Sequence, residues 1–307
     1  MHKTNKDRSL VSIVILRYKK LEDTLIAIDS ATDQTYSNCE IIVVDDASPD
    51  DSPQAIKEKY PNVKLIRLKK SMGRSAHNIG LKEAVGEILI PIDADMYFPK
   101  NFVRKVVEKF DRYPDVSFIA PNLIHPTEKA FQWVPVHERL EAVKGGYDCA
   151  GGLPFMRKRA FGRVGGFNPD IFLYVDEWEH LIRIWRAGYR VVYFPDLVMY
   201  HTYSNNPYRS IMMGYHTVVN HIQLYAMYLP IRIWPKFLFH HTGQFSNVVV
   251  TGKANRLGTI KGLLLGVYYF LKALPKRQVL DNKTLNIFTK YYFPKKGKVI
   301  VEKWGWK

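Results

Sequence analysis

The segment PIDADMYF, residues 91 to 98, closes an apolar run, GEILI, with Asp93 and Asp95 one residue apart. In a strand, residues i and i+2 point the same way, so this spacing sets two carboxylates on one side at the end of a buried strand. Their repulsion requires something positive nearby, either a divalent cation or a basic side chain. A solvated turn with two exposed acids explains the same spacing, because Asp-x-Asp is a short pattern. Other acids gather at comparable places. Asp45 and Asp46 close the run CEIIVVDD, VDEWE sets Asp176, Glu177 and Glu179 at the start of a helical pattern, and His201 ends the run VVYFPDLVMYH. Each has a plain structural explanation as well. Acids in a first helical turn suit the helix dipole, Asp46 with Ser48 suits a turn or cap, and a single His at a strand end is commonly a packing residue.

The elements that must position these groups are legible as an alternation. LVSIVILRY (10–18), CEIIVVDD, NVKLIRL and EILIPIDAD read as buried strands. Between them, KKLEDTLIAIDSATDQ, SPQAIKEKYP and GRSAHNIGLKEAVG read as helices. Unbroken apolar strands alternating with helices predict a mostly parallel sheet covered on both faces. Ligands of such sheets bind at the carboxyl ends of the strands, which is where VVDDAS and PIDAD lie. FVRKVVEKFDRYPDVSFIAP (102–121) adds a helix and a strand. KGGYDCAGGLPFMRKRAFGRVGGFNPDIFLY reads as a set of site loops, and a helix from Glu177 to about Ala187 precedes the strand that ends in His201.

The chain has 307 residues, 47% hydrophobic and 24% charged, as expected for folded α/β architecture with an appendage or a second domain. Cys39 and Cys149 form no metal-type cluster and read as packing residues of a protein in a reducing compartment. The polar N-terminus, MHKTNKDRSL, does not read as a signal peptide. Charge divides the chain near residue 205. Beyond it stand 16 Lys and Arg against only Asp281 and Glu302, whereas residues 1–204 are nearly neutral. Two aromatic, basic stretches lie there, YRSIMMGYHTVVNHIQLYAMYLPIRIWPKFLFHH and TIKGLLLGVYYFLKALPKR. Neither holds 18 uncharged apolar residues in a row, so neither reads as a membrane-spanning helix. They suit helices lying in a membrane interface, drawn by anionic lipid at about 1 kcal/mol per base. A helical appendage with a solvated basic face is the simpler alternative. No RNA-binding signature accompanies the charge, so nucleic acid is not expected as a partner.

Three ordered segments resemble the family 2 glycosyltransferases of the GT-A fold: SIVILRYKKLEDTLIAIDSATDQTYSNCEIIVVDDASPDDS, GRSAHNIGLKEAVGEILIPIDAD and GGFNPDIFLYVDEWEHLIRIWRAGYRVVYFPDLVMYH. The last is similar to the rhamnosyltransferase-like branch. The resemblance spans about residues 10 to 204 and implies an inverting sugar transfer from a nucleotide diphosphate sugar with Mg²⁺ or Mn²⁺. It implies Asp95 as metal ligand, Asp93 on the ribose or a metal-bound water, and His201 as a third metal ligand. Hard oxygen ligands suit such ions, which bind through one or two carboxylates plus phosphate. It implies Glu177, preceded by Asp176, as the base that takes the acceptor proton, with Glu179 as the alternative. Asp45 and Asp46 would meet the donor base, Asp46 foremost, and Arg74 the diphosphate. Asn78 matches a frequent family residue of structural character. Two departures stand out. The family's usual Pro-Thr-Tyr-Asn is Leu16, Arg17, Tyr18 and Lys19 here, with Arg17 free to pair with Asp46 or phosphate. Its usual Glu–Asp is Asp176–Glu177 here.

The expectation is therefore a GT-A catalytic domain over residues 1–204, with a nucleotide-sugar half at about 10–98 and an acceptor half at about 99–204. A mainly helical, basic, membrane-associated region would follow over 205–307. The donor would be UDP- or dTDP-linked and the acceptor a glycan or polyprenyl-linked lipid in cell-surface glycan assembly. The protein would sit peripherally on the cytoplasmic face of the membrane. The rival readings are a nucleotidyltransferase of similar fold and a non-catalytic homologue that binds membrane or nucleic acid.

Overall fold

The computed structural model describes residues 9–124, 126, 131–133, 142–143, 146–149, 153–202, 207–235 and 256–292, with the side chains of 131–133, 142–143, 146–149, 207–210 and 291–292 excepted. The strands are β1 (Val11–Arg17), β2 (Cys39–Asp45), β3 (Lys64–Arg67), β4 (Ile88–Asp93), β5 (Met96–Tyr97), β6 (Phe118–Ile124), β7 (Phe131–Trp133), β8 (Ala142–Val143), β9 (Gly146–Cys149), β10 (Phe155–Arg157) and β11 (Val191–His201). The helices are α1 (Leu21–Thr32), α2 (Ser52–Lys59), α3 (His77–Glu83), α4 (Phe102–Arg112), α5 (Lys158–Val164), α6 (Asp176–Arg186), α7 (Pro207–Tyr228), α8 (Arg256–Ala273) and α9 (Asn282–Tyr292).

The described strands form one sheet in the order β3-β2-β1-β4-β10-β6-β11-β9-β8, with β5 against β11 and β7 against β6. β3, β2, β1 and β4 run parallel, as the alternation predicted. Past β4 the sheet is mixed, because β10 runs antiparallel to both β4 and β6 while β11 is parallel to β6. Strand periodicity divides the core in two. Val11, Ile13 and Ile15 of β1 and Ile88, Ile90 and Ile92 of β4 join Ala27, Ile28 and Ala31 of α1 and Val103, Val106, Val107 and Phe110 of α4. Val14 and Leu89 point to the other layer, with Leu81 of α3 and Leu181, Ile184 and Trp185 of α6. Asp93 continues the Leu89 side of β4, so the strand's own pleat aims it at α3 and α6.

Two expectations change. The glycine-rich stretch before Asp176 contains α5, whose Ala160 and Val164 are buried at a spacing of four, and which stops at Gly165 with φ 77°. The middle of the first aromatic basic stretch packs inside the protein. Along α7, residues 218–220 and 223–229 are buried, and the layer of α6 takes in Leu224 to Leu229. The composition boundary falls at residues 203–206, outside the described residues. Cys39 is part-buried, its thiol donating to the Tyr36 carbonyl at 3.3 Å; the side chain of Cys149 lies outside those described.

At the carboxyl ends of β1 and β2 the register sets Arg17 beside Asp45, and the two form a fully buried ion pair. Arg17 also donates to Ser52 Oγ at 2.6 Å and to the Lys19 carbonyl at 2.8 Å. The expected Arg17–Asp46 pairing is not made, because Asp46 lies one residue past the strand. Removing Arg17 leaves the buried Asp45 with only Arg67 Nε at 3.7 Å as a counter-charge, and losing one partner of a buried pair costs about 3–5 kcal/mol at most. Arg17→Leu therefore lowers the unfolding free energy by up to that amount in urea titration. Adding Asp45→Asn recovers part of the loss; equal stability of Arg17→Leu and the parent chain contradicts the assignment.

Candidate active site

Four loops meet at the carboxyl ends of β1, β2 and β4. The first leaves β1 through Lys19 and Lys20, both in the left-handed region with φ 57° and 50°. Two consecutive non-glycine residues there store strain and persist only where surroundings hold them. Lys19 is held by its amide on Ser48 Oγ at 2.8 Å. The turn delivers Lys20 Nζ to 3.0 Å from Asp95 Oδ2.

β4 ends at Asp93, and Asp95 stands in the turn that follows, pinned by its carbonyl accepting from the Thr202 amide at 2.8 Å. The two carboxylates consequently take different partners and do not share one cation between them in this geometry. Asp93 pairs with Arg74. Asp95 faces His201, with Nε2 at 3.3 Å from Oδ1, and the two side chains are 12% and 18% exposed. Partial burial opposes ionisation of Asp95, but the hydrogen bond from His201 and the charge of Lys20 outweigh it and hold the carboxyl well below the usual carboxylate range. Among the described residues, no three His, Cys, Asp or Glu side chains are grouped so as to hold a metal ion. Asp95 and His201 form instead a half-open pair, one carboxylate and one imidazole. That set fits an ion completing its shell with water and phosphate oxygens.

Arg74 is the centre of the site. Its guanidinium pairs with Asp93, and its Nε lies 2.9 Å from Asp176 Oδ2. Burial disfavours the charge, yet Asp93 and Asp176 together raise the guanidinium above its ordinary value. Gly73 precedes it with φ 59°, and a Cβ there would stand 2.3 Å from the Phe172 carbonyl, so only glycine allows this approach. The Arg74 amide donates to that same carbonyl at 2.8 Å. Asp46 accepts from Ser71 Oγ at 2.6 Å and from the amides of Met72 and Gly73 at 2.7 and 3.0 Å, fastening the loop that carries Arg74. Asn78 clamps the Phe167 backbone in both directions at 2.7 Å.

α6 begins with Asp176, buried, and Glu177, part-exposed. Burial first, and the Asp93 carboxylate against the opposing Arg74, raise Asp176. Burial and the neighbouring Asp176 push the Glu177 carboxyl up to about 7. Glu179 is occupied elsewhere: it accepts from Arg183 Nη2 at 2.8 Å and Tyr228 hydroxyl at 2.6 Å. The residues before α6, Tyr174 and Val175, have φ 61° and 65°, the latter β-branched. What holds them is a residue that sequence reasoning missed. Asn220 of α7 donates to the carbonyls of Leu173 and Tyr174 at 2.6 and 2.8 Å and is almost fully buried. The one available signal was an amide directly after two valines in HTVVNHI, since buried amides need partners.

Residues 12–159 match the model of glycosyl transferase family 2. Over 114 residues the chain is 38% identical to a dolichol-phosphate mannosyltransferase of Pyrococcus furiosus, covering 35% of this chain and 32% of that one. It is 23% identical over 222 residues to an N-acetylglucosaminyl-diphospho-decaprenol L-rhamnosyltransferase of Mycobacterium tuberculosis, covering 59% and 71%. The chain thus spans about a third of the first relative's length and less than three quarters of the second's. Among solved structures it is similar to S. aureus TarS 1-349 in complex with UDP, with TM-score 0.57, 18% identity and coverage of 87% and 81%. It is also similar to mannosyltransferase PcManGT from Pyrobaculum calidifontis in complex with GDP-Man and Mn²⁺, with TM-score 0.53, 21% identity and coverage of 89% and 74%. Acids at the carboxyl ends of a sheet with this strand order, and the family match over the same elements, agree: the chain has a GT-A fold, and its residues 12–159 are similar to glycosyl transferase family 2.

Proposed function

We propose that this protein is an inverting, metal-dependent glycosyltransferase. It moves a sugar from a UDP- or dTDP-linked donor to a glycan or polyprenyl-linked acceptor at the cytoplasmic face of a membrane. The observation that carries the reading is the line of charge Asp95–His201, Asp93–Arg74–Asp176, Glu177. It sets a cation-binding end and a carboxyl raised to about 7 on one rim of the sheet. The UDP complex of TarS supports a uridine donor, and the lipid-linked substrates in the relatives' names support a membrane acceptor.

Asp95 and His201 would hold Mg²⁺ or Mn²⁺, which when bound stabilises the charge of the leaving diphosphate. Lys20, already against Asp95, adds a second positive group at that end. Glu177 takes the proton of the acceptor hydroxyl as its oxygen bonds to the anomeric carbon and the bond to the diphosphate breaks. A base with a pKa near the working pH is partly ionised yet still basic, which is the useful compromise. Arg74 keeps Asp93 and Asp176 neutralised, so that Glu177 lies beside a paired acid. Asp45 and Asp46 shape the wall of the nucleotide pocket, and Arg17 braces it through Asp45.

The reading is tested by incubating the chain with nucleotide sugars and polyprenyl phosphates or diphosphates. Release of a nucleoside diphosphate with a glycosylated lipid supports it; pyrophosphate release indicates a nucleotidyltransferase. The base must be ionised to act, so the transfer rate rises with pH through about 7 and levels off above it. Glu177→Gln keeps nucleotide affinity, loses about 10²–10⁴ in rate and loses that limb; a limb that persists places the base elsewhere. Asp95→Ala abolishes the Mn²⁺-dependent part of nucleotide affinity in calorimetry, and unchanged affinity in Mn²⁺ refutes its role as a ligand.

A further inference from the structure

Helix α8 is built inside out. Its small residues are buried and its large apolar ones face outward. Gly258, Gly262 and Gly266 recur every fourth residue and lie against α7. A Cβ on each would stand 1.9 Å from the Ile211 carbonyl oxygen, 2.8 Å from Val218 Cβ and 2.7 Å from Ile222 Cδ1. The successive contacts advance along α7 in the same direction, so the two helices lie side by side and parallel at a distance that only glycine allows. On the opposite side Leu257, Leu264 and Val267 are 69%, 78% and 70% exposed, and Ile260, Tyr268 and Leu271 share that face. Isolated exposed apolar residues are ordinary, but a contiguous stripe of six along one helix marks an interaction surface.

By length and composition Arg256–Lys276 is long and apolar enough to cross a membrane, although Lys261 and Lys272 leave it without 18 uncharged residues in a row. The packing argues for a different placement. α7 is tied to the catalytic loops through Asn220 on Leu173 and Tyr174, Gln223 on the Asp170 carbonyl at 3.4 Å and Tyr228 on Glu179. Beyond α8, Arg277 donates to the carbonyls of Ala226 and Leu229, and the Gln278 amide to that of Met227 at 2.7 Å. A helix bound along its whole length to such a partner cannot stand across a bilayer alone. It can lie on one with its outer face immersed.

We infer that α8 seats the protein on an anionic membrane, with Leu257, Ile260, Leu264, Val267, Tyr268 and Leu271 inserted among the lipid chains. Charge selects this occupant. α8 contains no Asp or Glu; Arg256 and Lys261 are exposed along it, while Lys272 and Lys276 at its far end lie against Asp170. The region beyond residue 205 holds 16 bases against two acids. Long basic side chains at the edge of an apolar face reach lipid phosphates while their stems stay in the apolar layer. The seating serves the membrane-linked acceptor proposed above and rests on that reading for its purpose.

Flotation with vesicles of phosphatidylcholine, alone or mixed with phosphatidylglycerol, tests it on the full chain. The variant Leu257→Ser/Leu264→Ser/Leu271→Ser alters one stripe without altering charge. These side chains already face water, so thermal unfolding stays that of the parent. The parent chain floats with the anionic vesicles, and the variant partitions about tenfold less or lower. Equal flotation of both means that charge alone holds the protein and overturns the inserted face. So does a parent chain that stays with the soluble fraction, including one that forms a dimer which the variant abolishes. Transfer to a short-chain, water-soluble acceptor is unchanged in the variant, so a failure of the seating and a failure of the transferase reading are told apart.

Discussion

A single guanidinium holds the site together. Arg74 stands between Asp93 from the end of β4 and Asp176 from the start of α6, and without it the part-buried Asp93, the buried Asp176 and Glu177 would face one another unscreened. Burial of one charge between two opposite ones is stable only where the geometry is fixed beforehand. Several otherwise costly features serve that end. Gly73 adopts a left-handed turn against the Phe172 carbonyl, and Asp46 spends its acceptors on the Ser71–Gly73 loop. Glu177 owes its raised pKa to burial first and to the Asp176 carboxylate beside it, with the charge of Arg74 limiting the rise.

The C-terminal region is part of this machinery and not a passive extension. Asn220 on α7 satisfies two carbonyls that the strained Tyr174–Val175 turn leaves exposed, and Tyr228 closes over Glu179. α9 packs on α6 through Phe288 edge-on to Trp178, their centroids 6.0 Å apart. The helix bearing the proposed base is thereby held on one side by the sheet layer and on the other by residues beyond 205. The exposed apolar face inferred to meet lipid lies one helix further out, on α8.

The parallel half of the sheet was legible because its strands are unbroken apolar runs with stops between them, and the acids at their ends fall where ligands bind. The partners of those acids were less legible. Alternation suggested one shared partner for Asp93 and Asp95, but β4 ends at Asp93, and the turn sends Asp95 to His201 and Lys20. Arg17 meets Asp45 because of the β1–β2 register, which depends on neighbours that one strand's sequence does not state. Helix α5 was hidden by glycines on both sides, and the apolar and aromatic residues of α7 fit an interface-lying helix as well as one packed on the domain.

The most direct measurement is calorimetric titration of the full chain with UDP, dTDP, GDP and CDP, each with and without Mn²⁺. The account predicts that UDP or dTDP binds and that Mn²⁺ strengthens the binding, since Asp95 and His201 leave room for an ion shared with the diphosphate. Equal affinity with and without Mn²⁺, or no nucleotide binding by the folded chain, contradicts it.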